Sequence, residues 1–438
     1  MARAVRFAID AAANALRALS FDQRMAAGLF AAMALLPLLS PVFGGSYLLL
    51  VGERAMIFAI AAISLELLIG AGGLVSFGHA AFLGIGAYAA GIAASHGLGT
   101  LSVALPAALA ASALFAALTG AIAVRTRGVY FIMITLAFGQ MAYFVAISLA
   151  PYGGDDGLTW PGRTLVLGTR LLESRTAFFY ATLVFAAATY VLVSRLIASR
   201  FGRVLRGLTD SETRMQAIGF APYPYRLAAY IIACTICGLA GFLLGNQVEF
   251  VSPAYMHWQR SGELIVMVLL GGTGTVYGPI VGALAFLMLE ETLSRLTEHW
   301  KAIVGPLLVL VVLFAKGGIA GAIEAWRRRK MTPAQLLAEL GRRAREAIAR
   351  AGHFVREVTA ASRQFARRLA ASGSARLRQW VAVLRRWLDA LILLARRGAA
   401  EVGIRAEPWK RALWRLLESV VLSAERGIAA ALDRWRRR

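Results

Sequence analysis

The sequence has little charge, few histidines and almost no cysteine. Only 16% of its 438 residues are charged, whereas soluble proteins carry about 25%. Its five histidines are scattered, and the nearest carboxylate pair, Glu290-Glu291, is better interpreted as an external helix end. A membrane enzyme is therefore not expected. Cys234 and Cys237 share one apolar run without a second Cys or His cluster, so we expect two packing residues and no metal or cofactor site.

Apolar residues make up 59% of the sequence, and runs of about 20 of them, the thickness of a bilayer core, recur from Met25 to Ile319. The sequence predicts an all-α polytopic membrane protein with about ten spanning or re-entrant helices plus a basic amphipathic helical C-terminal tail. The predicted spans are 25–43, 47–69, 79–97, 100–124, 129–150, 176–198, 226–246, 262–278, 279–298 and 301–320. Dense glycine favours breaks near Gly70–Gly78 and Gly271–Gly278.

Three segments follow from this pattern. Residues 1–24 are predicted to form a cytoplasmic amphipathic helix without a cleavable signal. Residues 25–322 form the transmembrane domain, with a cytoplasmic helix at about 203–219. Residues 323–438 form a basic cytoplasmic extension, which carries 27 basic and 10 acidic side chains from Glu324 onward. Its arginine-rich helical periodicity suits an anionic lipid surface. Nucleic acid and a solvated extension without a partner are the alternatives.

The distribution of basic residues predicts the orientation. With a cytoplasmic N-terminus, ten spans place Arg125–Arg127, Arg195–Arg226 and the segment from Trp326 onward in the cytoplasm, and all three are basic. The segments Pro151–Arg175 and Glu249–Glu263 then face outward. Both termini are expected in the cytoplasm.

The glycine-rich segment Gly70–Gly91 contains two strongly polar side chains, Ser76 and His79, three residues apart. A helix broken by glycine can expose backbone groups to a solute path. The alternative is close helix packing with an interfacial histidine. The candidate path residues are Ser76, His79, Phe82 and Tyr88 here, with Gly271, Gly272 and Thr273 in a second glycine-rich segment.

The charged stretch Gly202–Gly219 lies between two apolar runs, and ionised groups cost several kcal/mol in hydrocarbon. It is therefore expected to project from the membrane. Thr209 or Asp210 is predicted to cap a short helix that closes at Gly219. Such a helix suits docking in the groove of a partner, and an ordinary charged loop is the alternative. The segment Gly271–Pro279 lacks the GK[ST] ending of a P-loop, so a helix break is favoured there.

Taken together, these motifs are typical of one family. Five motifs follow one another along the chain: GLVSFGHAAFLGIGAY, RGVYFIMITLAF from Arg127, DSETRMQAIG from Asp210, GLAG from Gly238 and GGTGTVYGPIVGA from Gly271. Their order and spacing resemble those of the permease subunits of ABC importers for branched-chain amino acids. The resemblance covers about residues 25–320 and is strongest to the second of the two paralogous permeases. The basic extension runs past the usual end of the family.

The resemblance implies a heterodimer with a paralogous permease, two cytoplasmic ATPase subunits and a periplasmic binding protein, in a bacterial inner membrane. ATP would be bound by the ATPases, and this chain would hold no cofactor and no catalytic residue. The implied ATPase-docking residues are Asp210, Ser211, Glu212, Arg214, Ala217 and Gly219. An importer for urea or short amides is the alternative. An ion-coupled transporter or channel is disfavoured, because only His79, Glu66 and Glu263 are candidate ionisable groups within the spans.

Overall fold

The computed structural model describes residues 21–43, 46–166, 168–296, 305 and 317–329. Its α-helices are α1 Phe21–Phe43, α2 Ser46–Glu66, α3 His79–Ser95, α4 Leu101–Ala123, α5 Val129–Ser148, α6 Arg175–Ala198, α7 Arg200–Asp210, α8 Glu212–Ala217, α9 Pro222–Val248, α10 Trp258–Gly271, α11 Gly278–Leu296 and α12 Gly318–Arg329. A π-helical turn over Leu67–Ala71 extends α2. Short 3-10 turns cover Ala150–Tyr152, Leu171–Glu173 and Pro253–Met256. Strands β1 Leu158–Thr159 and β2 Phe250–Val251 pair antiparallel, with Leu158 opposite Val251.

Five of the described helices are long and apolar enough to cross a bilayer: Tyr47–Ala71, Leu101–Ala123, Val129–Ser148, Arg175–Ala198 and Pro222–Val248. The helix His79–Ser95 is apolar and shorter. These helices confirm an all-α polytopic membrane protein, and the total of ten spans stays a prediction. The predicted span 301–320 lies largely outside the described residues. So do most of the predicted N-terminal helix 1–24 and of the extension 323–438.

The predicted span 262–278 is wrong in its bounds. Helix α10 begins at Trp258 and ends at Gly271, so its 14 residues extend about 21 Å, less than the roughly 30 Å of a bilayer core. Gly272 has a φ of 109°, which a right-handed helix cannot contain. The hydropathy pattern continued past this point because Val276 and Tyr277 are apolar, although residues 272–277 are non-helical.

The core of the bundle is formed by α2, α3 and α9. Of the most apolar stretch of Tyr47–Ala71, 78% of the residues are buried, against 22% for Leu101–Ala123. A Cβ on Gly86 would collide with the Gly238 carbonyl of α9, and one on Gly241 would collide with the Leu83 carbonyl of α3. Glycines therefore allow α3 and α9 to approach closely, as small residues do in lipid. The breaks predicted near Gly70–Gly78 and Gly271–Gly278 are both confirmed, because residues 72–78 separate α2 from α3 and residues 272–277 separate α10 from α11.

Two connections are joined to each other at the end of the bundle where α9 finishes. Strand β1 lies in the connection before α6, and β2 follows α9. The Asn246 carboxamide oxygen accepts the Thr164 backbone N–H at 2.9 Å, and the Glu249 carboxylate accepts the Gly162 N–H at 3.1 Å. Trp160 is buried among Tyr88, Val251 and Met256. These contacts fix the end of α9 to the connection between α5 and α6.

The chain divides into two compact units. The first comprises Met1–Met288 and Lys316–Ala325, and the second comprises Leu289–Ala315 and Trp326–Arg438. In the second unit the described residues are 289–296, 305 and 326–329. Within them, Arg295 pairs with Glu291 one helical turn earlier at 3.1 Å. All contacts discussed below belong to the first unit.

Candidate functional site

The charged stretch between α6 and α9 folds as two helices, α7 and α8, where the sequence suggested one. The Ser199 hydroxyl caps α7 by accepting the Gly202 N–H at 3.4 Å. Helix α7 buries Gly202, Val204, Leu205 and Leu208 and exposes Arg203 and Arg206. This two-sided pattern is typical of a helix at an apolar boundary. The segment α7–α8, residues 200–217, is referred to below as the hairpin.

Helix α8 begins and ends with recognisable capping. The Ser211 hydroxyl accepts the Arg214 N–H at 3.4 Å, so the cap is Ser211 and the prediction of Thr209 or Asp210 was wrong by one or two residues. The predicted closure at Gly219 is confirmed. Gly219 has a φ of 98°, its N–H donates to Gln216, and the Phe220 N–H donates to Met215 at 3.0 Å. This pair of bonds is the Schellman arrangement, which favours glycine at the left-handed position.

Glu212 fastens α8 to the spanning helices. Its Oε2 lies 2.9 Å from Arg226 Nη2 in the first turns of α9, and its Oε1 pairs with Arg127 after α4. The side chains of Glu212 and Arg226 are only 11% and 10% exposed, whereas that of Arg127 is 64% exposed. Arg125 stacks over the Tyr223 ring at 5.7 Å. The two basic segments predicted to share one side therefore lie together.

The predicted docking residues divide into two groups. Asp210, Arg214, Ala217 and Gly219 are exposed, as are Gln216 and Ile218 beside them. Ser211 is occupied by capping, and Glu212 is occupied by two arginines of its own chain. No local pattern indicates this ion pair, because Glu212 and Arg127 are 85 residues apart. The exposed surface of α8 is therefore smaller than the motif suggested.

The predicted path residues Ser76 and His79 are fully buried, and His79 takes part in a polar cluster. The Ser64 hydroxyl donates to the Ala61 carbonyl at 2.7 Å and lies 2.8 Å from His79 Nε2. A serine hydroxyl has one proton, so it must accept a hydrogen bond from Nε2–H. His79 Nδ1 then carries a lone pair and has no hydrogen-bond partner among the described residues.

Further contacts fix the start of α3. The Ala80 N–H donates to the Ser261 hydroxyl of α10 at 3.0 Å, and the Cys237 thiol donates to the His79 carbonyl at 3.3 Å. Both cysteines are free and buried within α9. Within the described ranges, no group of three or more His, Cys, Asp or Glu side chains could hold a metal ion.

Of the other predicted path residues, Phe82 lies beside His79, with the two ring centroids 6.2 Å apart, and it also packs against Phe115 and Tyr230. Tyr88 belongs to the cluster around Trp160. Gly271 and Gly272 are buried and Thr273 is exposed, all at the end of α10. A Cβ on Gly78 or Gly271 would collide with a neighbouring backbone carbonyl, so both glycine-rich segments contain sites of close backbone packing. The solute path along these residues stays a prediction.

The set of ionisable groups within the spans was incomplete. Glu53, the eighth residue of α2, is buried, and Gln247 donates to its Oε2 at 3.3 Å. Glu66 is also buried and accepts the Gly274 N–H at 2.6 Å. Glu263 is only partly buried and pairs with Arg260 at 2.6 Å. Hydropathy averaged over the predicted span 47–69 passes over Glu53 and its neighbour Arg54, because most residues of that span are apolar.

Comparison with known proteins identifies the family. Residues 47–314 match the family described as branched-chain amino acid transport system / permease component. The high-affinity branched-chain amino acid transport system permease protein LivM of Salmonella typhimurium is 25% identical over 292 residues, covering 61% of this chain and 69% of LivM. LivM of Escherichia coli has the same identity and coverage.

A more distant relative is the autoinducer 2 import system permease protein LsrC of Yersinia pestis. It is 26% identical over 200 residues, which cover 44% of this chain and 56% of LsrC. No match to a solved structure was found. Since the family match covers more than half of its residues, the chain belongs to the permease components of branched-chain amino acid transport systems.

Proposed function

We propose that this chain is a membrane subunit of an ATP-driven importer for branched-chain amino acids. Its partners would be a paralogous permease, two cytoplasmic ATPase subunits and a periplasmic binding protein. The family match and the similarity to the LivM permeases support this proposal. The complex would reside in a bacterial inner membrane, with both termini of this chain in the cytoplasm.

The observation that carries the proposal is the attachment of α8. This six-residue helix exposes Arg214, Gln216 and Ala217, while Glu212 ties it to Arg226 of α9. An isolated helix of this length is unstable in water. A short exposed helix fastened to a spanning helix can transmit force from a partner. ATP-driven closure of the ATPases would displace the hairpin and tilt the spanning helices attached to it.

This chain performs no bond-breaking chemistry in this mechanism. ATP is hydrolysed by the partners, and the solute moves when the bundle changes from an outward to an inward opening. Ser76 and His79 are buried, so a path along them would open only through that rearrangement. A zwitterion with an aliphatic side chain suits a wall of small and apolar residues. Selectivity would then reside mainly in the binding protein.

Reconstitution in liposomes tests the proposal. The complete complex should accumulate leucine only when ATP and the binding protein are present. Glu212→Gln should leave ATP hydrolysis largely intact and lower uptake per ATP about tenfold, since a neutral amide holds the two arginines weakly. Glu173→Gln is the matched control, because Glu173 pairs with Arg170 far from the hairpin in sequence. Uptake by this chain without any ATPase would refute the proposal.

Cargo and orientation need separate measurements. Competition for leucine uptake by isoleucine, urea or autoinducer 2 separates a branched-chain importer from the alternatives. For orientation, a cysteine replacing Ala217 should react with a membrane-impermeant maleimide only from the cytoplasmic face. Labelling from the outer face would contradict the docking of this helix on an ATPase.

A further inference from the structure

Glu66 connects the end of α2 to the loop around Gly274, two parts of the molecule that the proposed mechanism does not otherwise join. It is the last residue of α2, only 1% exposed, and its Oε1 accepts the backbone N–H of Gly274 at 2.6 Å. Gly70, one turn later, leaves space for this carboxylate, since a Cβ there would collide with Glu66 Oε1. A carboxylate this deeply buried at a membrane helix end is costly and marks a functional contact.

The π-helical turn after Glu66 contacts the hairpin. The Thr209 hydroxyl of α7 lies 3.2 Å from the Ala71 carbonyl and 3.2 Å from the Leu205 carbonyl of its own helix, so its one proton is shared between the two acceptors. Gly73 has a φ of 63°, and a Cβ there would lie 2.8 Å from Thr209 Cγ2. Glu66 immediately precedes the π-helical turn and Ala71 is its last residue. The contact to Gly274 and the contact to α7 therefore lie at the two ends of this turn. Single π-helical turns occur frequently at functional sites.

The loop that contains Gly274 is held on its other side by α12. The Tyr277 hydroxyl donates to the Ala320 carbonyl at 3.4 Å. A Cβ on Gly272 would collide with the Gly317 carbonyl, just before α12. Residues 272–277, named the glycine loop here, therefore lie between the end of α2 and the start of α12. The Glu66 carboxylate is their polar contact on the α2 side.

We infer that Glu66 is a positioning residue that transmits displacement of the hairpin to the glycine loop. A shift of α7 moves Ala71 through Thr209, the π-helical turn moves with it, and the carboxylate carries Gly274 along. The inference rests on the proposed function, because the displacement of the hairpin originates in the ATPases. The displacement of the hairpin would then move the glycine loop between α10 and α11 as well as tilt α9.

Two spin labels in the reconstituted complex test this inference, one at Thr273 in the glycine loop and one at Ala217 on α8. Both positions are exposed, and the two native cysteines are buried and replaceable by Cys234→Ala and Cys237→Ser. In the otherwise native complex, ATP should change the spectra of both labels. Glu66→Ala should abolish the response at Thr273 and preserve the response at Ala217.

Conservative variants distinguish transmission from general damage. Glu66→Gln keeps an oxygen acceptor for Gly274 and should restore part of the Thr273 response. Thr209→Val removes the hydroxyl at nearly constant volume and should weaken the response at Thr273 in the same way as Glu66→Ala. Glu263→Ala is the control, because that carboxylate pairs with Arg260 and should leave both responses unchanged.

The outcomes separate the two proposals. If ATP leaves the Ala217 label unchanged in the native complex, the proposed function fails. If Ala217 responds and Thr273 does not, or if Thr273 still responds in both Glu66→Ala and Thr209→Val, the inference about Glu66 is overturned. Loss of the Thr273 response in these two variants, with partial recovery in Glu66→Gln, supports it.

Discussion

The two arginines that hold Glu212 should contribute very unequally to the attachment of α8. Arg226 is nearly buried beside the carboxylate, whereas the Arg127 side chain is 64% exposed. Removing one partner of a buried ion pair costs about 3–5 kcal/mol, whereas an exposed pair contributes about 0.2–1 kcal/mol. Since Glu212 keeps Arg127 when Arg226 is replaced, we take the lower end, about 3 kcal/mol, for Arg226→Met.

Amide hydrogen exchange of residues 211–220 measures this difference. The protected amides include those of Met215, Ile218 and Phe220, each of which donates within α8 or its cap. Exchange rates follow the local opening equilibrium, so about 3 kcal/mol corresponds to roughly 100-fold faster exchange in Arg226→Met. The same calculation gives about twofold for Arg127→Met, from about 0.5 kcal/mol. The amides of α3 should not change in either variant.

Equal effects of the two substitutions would refute this reasoning, and so would a larger effect of Arg127→Met. Either result would mean that burial does not decide the strength of the pairing. In a Glu212→Gln variant, the amides of residues 211–220 should exchange about as fast as in Arg226→Met, because both substitutions remove the buried ion pair. The double variant of Glu212 and Arg226 should then add little to either single change.

Three further predictions concern single contacts. Gly219→Ala should destabilise the end of α8 by about 1 kcal/mol through its positive φ alone, since no atom lies within 4 Å of the added Cβ, and faster exchange of the capped amides would reveal it. Gly86→Ala should lower the free energy of unfolding by about 1–3 kcal/mol, because the added methyl group collides with α9. Gly28→Ala is the control, since no atom lies within 4 Å of its added Cβ, and the melting temperatures of the two variants compare them. Asn246→Ala leaves the buried Thr164 N–H without its acceptor and should cost about 1–3 kcal/mol, read as a lower melting temperature.

The sequence predicted those features that depend on local composition. The span predicted at 176–198 is found at Arg175–Ala198, and the closure of α8 at Gly219 follows from the backbone freedom of one glycine. Long apolar runs and capping residues act over a few positions, so a pattern in the chain records them directly. The helical class and the break near Gly70–Gly78 were predictable for the same reason.

The features that were missed depend on contacts between distant segments. Glu212 was expected to face a partner, yet it pairs with Arg226 and Arg127, and nothing local distinguishes a paired carboxylate from a free one. Glu66 and Gly274 are 208 residues apart, so their hydrogen bond leaves no periodic signal. The span predicted at 262–278 ran past the end of α10, although dense glycine predicted a break there, because a hydropathy average does not register the backbone of Gly272. Long-range polar contacts are thus where the sequence alone was insufficient.

Helix α9 is held at both of its ends by polar contacts of different kinds. Near its start, Arg226 forms an ion pair with Glu212 of the hairpin. At its other end, Asn246 and Glu249 accept hydrogen bonds from the connection before α6. Its 27 residues make a lever about 40 Å long. With the far end as pivot, a tilt of about 5° carries the near end about 3.5 Å, more than the length of a hydrogen bond. A tilt of this size would exchange hydrogen-bond partners at the hairpin end of α9 and leave the contacts of Asn246 and Glu249 at the pivot in place.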